Sequence, residues 1–114
     1  MACRTIELAE ATTEAAERRR DQNPGAAAIA ASAAHARGLL TGDRERLVEA
    51  VSGLQSAECA SLRKLALASA VEDLAVANAR AGAADEAVSC LDRALALYAA
   101  CDARWDEARV RRRL

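Results

Sequence analysis

The stretch that decides the fold runs from residue 65 to residue 98, LALASAVEDLAVANARAGAADEAVSCLDRALALY. Apolar and small residues recur in it every three or four positions on both sides of one short break, a spacing that places them on one face of an α-helix. The predicted faces comprise Leu67, Ala70, Val71, Leu74, Ala75 and Asn78 in the first half and Ala87, Val88, Leu91, Ala94, Leu95 and Tyr98 in the second. The stretch therefore predicts two amphipathic helices.

The break between these helices has the residues of a helix end followed by a helix start. Gly82 can take a positive φ without a Cβ clash, which suits the position just past a helix C-terminus. Asp85 and Glu86 then fall in the first turn of the next helix, where negative charge meets the positive end of the helix dipole. Because the loop is so short, we expect the two helices to pack antiparallel as a helical hairpin.

The composition predicts an all-α fold. The chain has 114 residues, which is enough for one domain with a modest core. Hydrophobic residues make up 53% of it, but aromatic residues make up 2% and Phe is absent, so the core must consist of Ala, Leu and Val. Small side chains favour close helix packing over a roomy pocket. One Pro and five Gly supply little turn chemistry for a β fold.

The charge and the apolar runs exclude several classes of partner. A formal net charge of −1 gives no general attraction to nucleic acid or to an anionic membrane. No apolar run approaches the roughly 18 residues that span a bilayer, and the N-terminus leads into a polar helix instead of a signal peptide. We expect a cytoplasmic protein without a membrane partner. Abundant Ala, with Arg as almost the sole cation, is typical of a high-GC bacterial genome.

Four further helices are predicted on either side of the hairpin, which gives about six in all. They cover residues 3–21, about 26–40, about 44–54 and about 104–113. Gly42 and Asp43 separate the second helix from the third, as a left-handed residue and an N-cap. Asp102 is the predicted N-cap of the last helix, and the helix that follows the third is predicted to start near Ser61.

The hairpin has a counterpart earlier in the chain. If Gly82 is superposed on Gly42, a shift of 40 positions, the apolar residues of the two segments coincide. Leu47, Val48, Val51 and Leu54 then fall on Ala87, Val88, Leu91 and Ala94. Two hairpins, at residues 26–55 and 61–99, therefore follow one another, and such units bury their apolar faces by stacking into a solenoid.

The second hairpin also carries a recognisable repeat pattern. Val71, Leu74, Ala75 and Asn78 stand at the positions of W-x2-L-G-x2-Y, and Ala87 and Leu91 at those of A-x3-F. In these positions the hairpin resembles a tetratricopeptide repeat, although both aromatic types are replaced and Ala99 stands where the repeat has Pro. The resemblance implies one domain over residues 1–114, built as a short tetratricopeptide-like solenoid. Its parts are a first segment 1–57, the hairpin 61–99 and a C-terminal helix 103–114.

Three phrases indicate a family. They are AHARGLLTGD at residues 34–43, AVEDL at 70–74, and the segment 85–106 that runs from DEAV through LALY to RWD. In these phrases the chain resembles the region before the DNA-binding domain of large LuxR-family regulators, the MalT-like, AAA-type ATPase class. There, such repeats bind inducers or partner proteins and control the attached ATPase and DNA-binding domains. The resemblance implies a non-catalytic sensor without a cofactor, which contacts DNA only through a domain absent from this chain.

Repeat geometry predicts where a ligand would bind. The first helix of each hairpin lines the inner face of a solenoid, and its outward positions meet the ligand, here a protein partner or a small effector. The predicted positions are Glu72, Val76 and Arg80 in the second hairpin and Ser32 and Ala36 in the first. A short stack also exposes apolar helix faces at its ends, so we expect self-association, most simply as a two-fold homodimer.

The four cysteines predict no metal site. Cys3, Cys59, Cys90 and Cys101 lack the close C-x2-C pairs of zinc sites. Free cysteines behave as small apolar side chains, so we interpret these four as ordinary core or surface residues.

Other functions stay open beside the regulatory one. His35, the single histidine, could centre a small enzyme, but its nucleophile and acid would come from distant positions, so a structural role is favoured. The basic segment from Arg104 to Arg113 could contact nucleic acid in an accessory protein, although arginines also suit a helix C-terminus. We expect Trp105 to pack against the hairpin. A stand-alone helical scaffold is a further alternative.

Overall fold

A computed structural model of the chain describes residues 2–23, 25–56 and 64–114, with the side chains of all these residues except 2–4, 27, 28 and 56. Within these ranges there are six helices and no strand. The helices are α1 (Ala2–Gln22), α2 (Ala27–Thr41), α3 (Arg44–Ser56), α4 (Lys64–Arg80), α5 (Ala84–Ala100) and α6 (Arg104–Arg113). The predicted all-α class, with about six helices in antiparallel hairpins, is confirmed.

The helix boundaries follow the sequence pattern closely. The last helix has the predicted bounds, whereas α3 runs two residues further than predicted, to Ser56. The predicted start of the fourth helix near Ser61 lies outside the described residues. None of the helices in the described ranges is long and apolar enough to cross a membrane.

The chain forms two compact units, Met1–Ala57 and Glu58–Leu114. In the first unit α2 packs against both α1 and α3, and in the second α5 packs against both α4 and α6. Each unit is thus one hairpin, α2–α3 or α4–α5, with one additional helix: the first unit adds it before its hairpin and the second unit adds it afterwards.

The turns inside the two hairpins share a left-handed glycine, but only the first has a side-chain cap among the described residues. Gly42 follows α2 with φ of 74°, and Gly82 follows α4 with φ of 82°, so both glycines take the predicted left-handed conformation. The N–H of Gly42 donates to the carbonyl of Gly38 at 2.8 Å. Asp43 Oδ1 accepts the N–H of Glu45 at 3.0 Å, which confirms Asp43 as the N-cap of α3.

The turn before α6 differs from the prediction. Ala103 stands at the N-cap and makes no side-chain cap hydrogen bond, so the assignment of Asp102 to this position is wrong. Asp102 instead has φ of 56° and accepts a hydrogen bond from Arg104 Nε at 3.4 Å. Aspartate reaches the left-handed region more readily than most residues, and Asp102 therefore turns the chain after α5.

Helices α3 and α5 bury and expose equivalent positions of the repeat. Three of the superposed pairs are buried in both units: Leu47 with Ala87, Val51 with Leu91, and Leu54 with Ala94. The fourth pair differs from the predicted apolar face, because Val48 and Val88 are each 50% exposed. The common register of the two hairpins therefore extends to their outer surfaces.

Helices α2 and α3 approach each other closely at Gly38. A Cβ atom at Gly38 would lie 2.8 Å from Cγ of Leu47 and 3.2 Å from Cβ of Arg46. Leu47 is buried, so its side chain has little room to move aside. The missing side chain at Gly38 thus permits the spacing of this hairpin, in line with a core of small residues.

We expect Gly38→Ala to lower the free energy of unfolding by about 1–2 kcal/mol. Overpacking costs about 1–3 kcal/mol and outweighs the roughly 1 kcal/mol that alanine gains over glycine within a helix. Urea unfolding followed by circular dichroism measures the change. Leu47→Val in the same chain should restore part of the loss. A Gly38→Ala protein as stable as the wild type would show that the helices separate easily at this point.

Candidate functional site

Glu72 is the polar centre of the second unit. It lies on α4, and its side chain is 5% exposed. Tyr98, which is also buried, faces it from α5. Arg109 and Arg113 reach it from α6, where their spacing of four residues places them on one helix face. Val110, fully buried, lies on the same side of α6.

Four hydrogen bonds saturate the Glu72 carboxylate. Arg109 binds it with two nitrogens, Nε to Oε2 at 2.9 Å and Nη2 to Oε1 at 2.7 Å. Tyr98 Oη donates to Oε1 at 2.9 Å, and Arg113 Nε donates to Oε2 at 2.9 Å. The guanidinium carbon of Arg109 also lies 5.7 Å from the centre of the Tyr98 ring, within range of a cation–π interaction. Helices α4, α5 and α6 are therefore joined at one carboxylate.

These contacts fix the charge state of the site at neutral pH. The hydrogen bond from Arg109 lowers the pKa of Glu72, against the opposing effect of burial. Burial and the neighbouring Glu72 raise the pKa of Tyr98, and hydrogen bonds to Glu72 and Asp106 raise the pKa of Arg109. The site thus holds an ionised carboxylate, a protonated phenol and a guanidinium cation. In this arrangement the negative charge of Glu72 is already balanced by Arg109 and Arg113.

Glu72 does not face outward as the repeat geometry predicted, because α6 covers it. Of the other predicted ligand contacts, Val76 is half-buried and Arg80 exposed on α4, while Ser32 is exposed and Ala36 half-buried on α2. A role in ligand binding stays a prediction for all five residues.

The position of Trp105 also differs from the expectation that it packs against the hairpin. Its side chain is 90% exposed. Trp105 precedes Arg109 by four residues, so it lies on the same side of α6 as the two arginines but one turn before them. The sole tryptophan of the chain is therefore a surface residue.

The first unit carries an apolar groove between α1 and α2, with a volume of about 450 Å³. Its large side chains are strongly exposed: Ile6 by 54%, Leu8 by 69% and Leu39 by 57%. Ala36, one of the predicted ligand contacts, also lines it. Thr12 Oγ1 donates to the carbonyl of Leu8 at 2.8 Å, so this hydroxyl is used within the helix. The groove surface is accordingly dominated by hydrocarbon.

An ion pair joins the two helices that form this groove. Arg37 of α2 donates from Nε to Glu17 Oε2 of α1 at 3.1 Å, and from Nη2 to the second oxygen of the same carboxylate. The hydrogen bond from Arg37 lowers the pKa of Glu17. A bidentate pair of this kind fixes orientation as well as distance. It therefore sets how α1 lies on α2.

The histidine and the cysteines form no reactive centre that the structure describes. His35 is half-buried on α2 and is not among the residues that line the groove. Cys90 and Cys101 are free and half-buried, and burial raises the pKa of the Cys90 thiol. Cys59 lies outside the described residues, as does the side chain of Cys3. Within the described ranges no group of three His, Cys, Asp or Glu residues is placed to hold a metal ion.

Comparison of the chain with protein-family models, with curated proteins and with solved structures finds no match. The tetratricopeptide and LuxR-family resemblances therefore stay predictions that rest on the motifs in the sequence.

Glu72 should make the stability of the second unit depend on acid pH. Its pKa in the folded protein is lower than the usual 4.5, so its contribution is complete above that value and is lost as the pH falls through the folded-state pKa. We expect the stability difference between the wild type and Glu72→Gln to be large at about pH 7 and to shrink towards about pH 3. Urea unfolding at both pH values measures it, with Glu49→Gln, an exposed position, as the control. A difference that does not change with pH would contradict this role.

Proposed function

We propose that the chain is a non-catalytic protein-interaction module of a LuxR-type bacterial transcriptional regulator, active in the cytoplasm. In this role it binds a partner protein or an effector and regulates attached ATPase and DNA-binding domains. The observation that carries the interaction role is the apolar groove of α1 and α2, whose residues Ile6, Leu8 and Leu39 are each more than half exposed. The regulatory part of the proposal is supported by the three sequence phrases.

The chemistry of the groove supports protein binding. Monomeric soluble proteins seldom leave neighbouring large apolar side chains in water without a use for them, because burial of hydrocarbon surface is favourable. An open hydrocarbon groove between two helices suits the apolar face of a third helix. A catalytic pocket would instead need several convergent polar groups. Of the three threonines that line the groove, Thr12 and Thr13 already donate their hydroxyls to carbonyls of their own helix.

The charged groups of the second unit support the same proposal over a nucleic-acid contact. Arg109 and Arg113 bind Glu72, and Arg111 lies 3.7 Å from Glu107. Two arginines of the basic segment are thus engaged with a buried carboxylate and a third with an acidic neighbour. This use of the basic side chains lowers the support for the accessory nucleic-acid protein, which would need them for phosphate contacts.

Self-association tests the role of the groove directly. We expect sedimentation velocity at tens of micromolar to give about twice the chain mass of 12.0 kDa. Leu8→Asp and Leu39→Asp should each raise the dissociation constant of the dimer at least tenfold, because a buried carboxylate loses its hydration. Val48→Asp is the matched control, since Val48 is 50% exposed on α3 outside the groove.

A wild-type chain that sediments at 12.0 kDa would contradict the homodimer. A dimer weakened equally by Val48→Asp and by the two leucine variants would contradict the assignment of the groove as its interface.

The regulator assignment has a separate test in the reading frame that encodes the chain. We expect the frame to include an ATPase domain with the G-x-x-x-x-G-K-[ST] phosphate-binding loop and a helix-turn-helix domain. Sequencing of the gene with its flanking DNA supplies the observation. A reading frame that encodes neither domain would contradict the proposal that the chain is part of a LuxR-type regulator. The alternative of a stand-alone helical scaffold would then be favoured.

A further inference from the structure

Helix α6 is held to the second unit by contacts that water and salt can reach. The helix has ten residues, of which Val110 is buried, and an isolated helix of this length is marginal in water. The Arg109 and Arg113 side chains are 39% and 42% exposed. Because the guanidinium ends of these ion pairs are open to water, salt weakens the pairs in part.

The other side of this contact is provided by two helices that pack against each other. Glu72 and Tyr98 are both buried, and they belong to the hairpin α4–α5. If α6 left, the Glu72 carboxylate would be uncovered and would lose both of its arginine partners. The hairpin would then present an unpaired carboxylate beside a tyrosine ring, and both groups attract a cation.

The geometry selects a guanidinium group over an ammonium group. Both carboxylate oxygens of Glu72 accept from one planar fork, Nε and Nη2 of Arg109, and the ring of Tyr98 lies under the same cation. Arginine provides two parallel donors and a flat face, whereas lysine provides a single point charge.

We propose that Glu72 and Tyr98 form a binding site for an arginine-bearing helix of a partner protein, and that α6 occupies this site when the partner is absent. The partner helix presents two arginines four residues apart, as α6 presents Arg109 and Arg113, and it binds by replacing α6. The assignment rests on the interaction role proposed above and names the chemistry of the partner. It also gives a use to Glu72, which the repeat geometry predicted as a ligand contact.

A labelled peptide of residues 103–114 is the probe, since its fit to the site is known from α6. Fluorescence anisotropy measures its binding to the full-length chain. Against the wild type, the chain with Arg109→Ala and Arg113→Ala should bind it at least tenfold more tightly, because its own α6 no longer competes. The matched control removes the exposed cations of the same helix, Arg111→Ala and Arg112→Ala, and should bind like the wild type.

Two further arms test the chemistry of the site. Glu72→Gln added to the Arg109→Ala, Arg113→Ala chain should weaken peptide binding at least tenfold. A peptide with lysine in place of both Arg109 and Arg113 should also bind at least tenfold more weakly than the parent peptide, because the bidentate fork is lost. Free L-arginine that displaces the probe as efficiently as unlabelled peptide would assign the site to a small effector and overturn the helical partner.

Absence of peptide binding to the double-arginine variant, with helical content equal to the wild type, overturns the proposal. If that variant loses helix, the single variant Arg113→Ala takes its place. The proposal is then overturned if Arg113→Ala binds the peptide no more tightly than the wild type does. If the wild type is a dimer and Glu72→Gln abolishes it, the α6 helix of a second copy occupies the site. That result would overturn the proposal of a different partner protein. A dimer that depends on the groove, with no peptide binding, would contradict the arginine site but not the groove interface. Peptide binding by a chain that forms no dimer would contradict the groove interface but not the arginine site.

Discussion

A carboxylate whose side chain is 5% exposed must have its charge balanced inside the protein, and in the second unit this requirement falls on Glu72. Its partners come from two other helices, Tyr98 from α5 and Arg109 and Arg113 from α6. The same docking buries Val110 of α6, whereas Trp105, one turn before Arg109, remains 90% exposed. One buried charge thus orients the last helix.

The helices could be predicted from the sequence because their signals are local. Residues such as Val71 and Leu91 recur at helical spacing, and Gly42 and Gly82 mark helix ends through their own backbone preference. The burial of Glu72 could not be predicted in this way. Its arginine partners lie 37 and 41 positions further along the chain, and no local pattern relates an acidic residue to bases that distant.

The internal repeat also shows that burial cannot be predicted from a local sequence pattern. The shift of 40 positions that superposes the hairpins also places Glu72 on Ser32, yet the first is buried and the second exposed. Both residues occupy the same position of the same type of helix. What differs is the additional helix, since the second unit adds α6 after its hairpin whereas the first unit adds α1 before it. A repeat therefore fixes which way a side chain points, but the neighbouring helix decides whether water reaches it.

The composition explains why the apolar surface lies outside. Small residues such as Ala33, Gly38 and Ala50 are buried in the first unit, and at Gly38 they let α2 and α3 approach closely. A thin core of this kind cannot enclose many large side chains, and leucines such as Leu8 and Leu39 remain at the surface, where they line a groove. Hydrophobic residues make up 53% of the chain, and several large ones, such as Ile6 and Val48, are at least half exposed. Exposed apolar side chains of this kind suit a docking surface better than they suit an enclosed catalytic cavity.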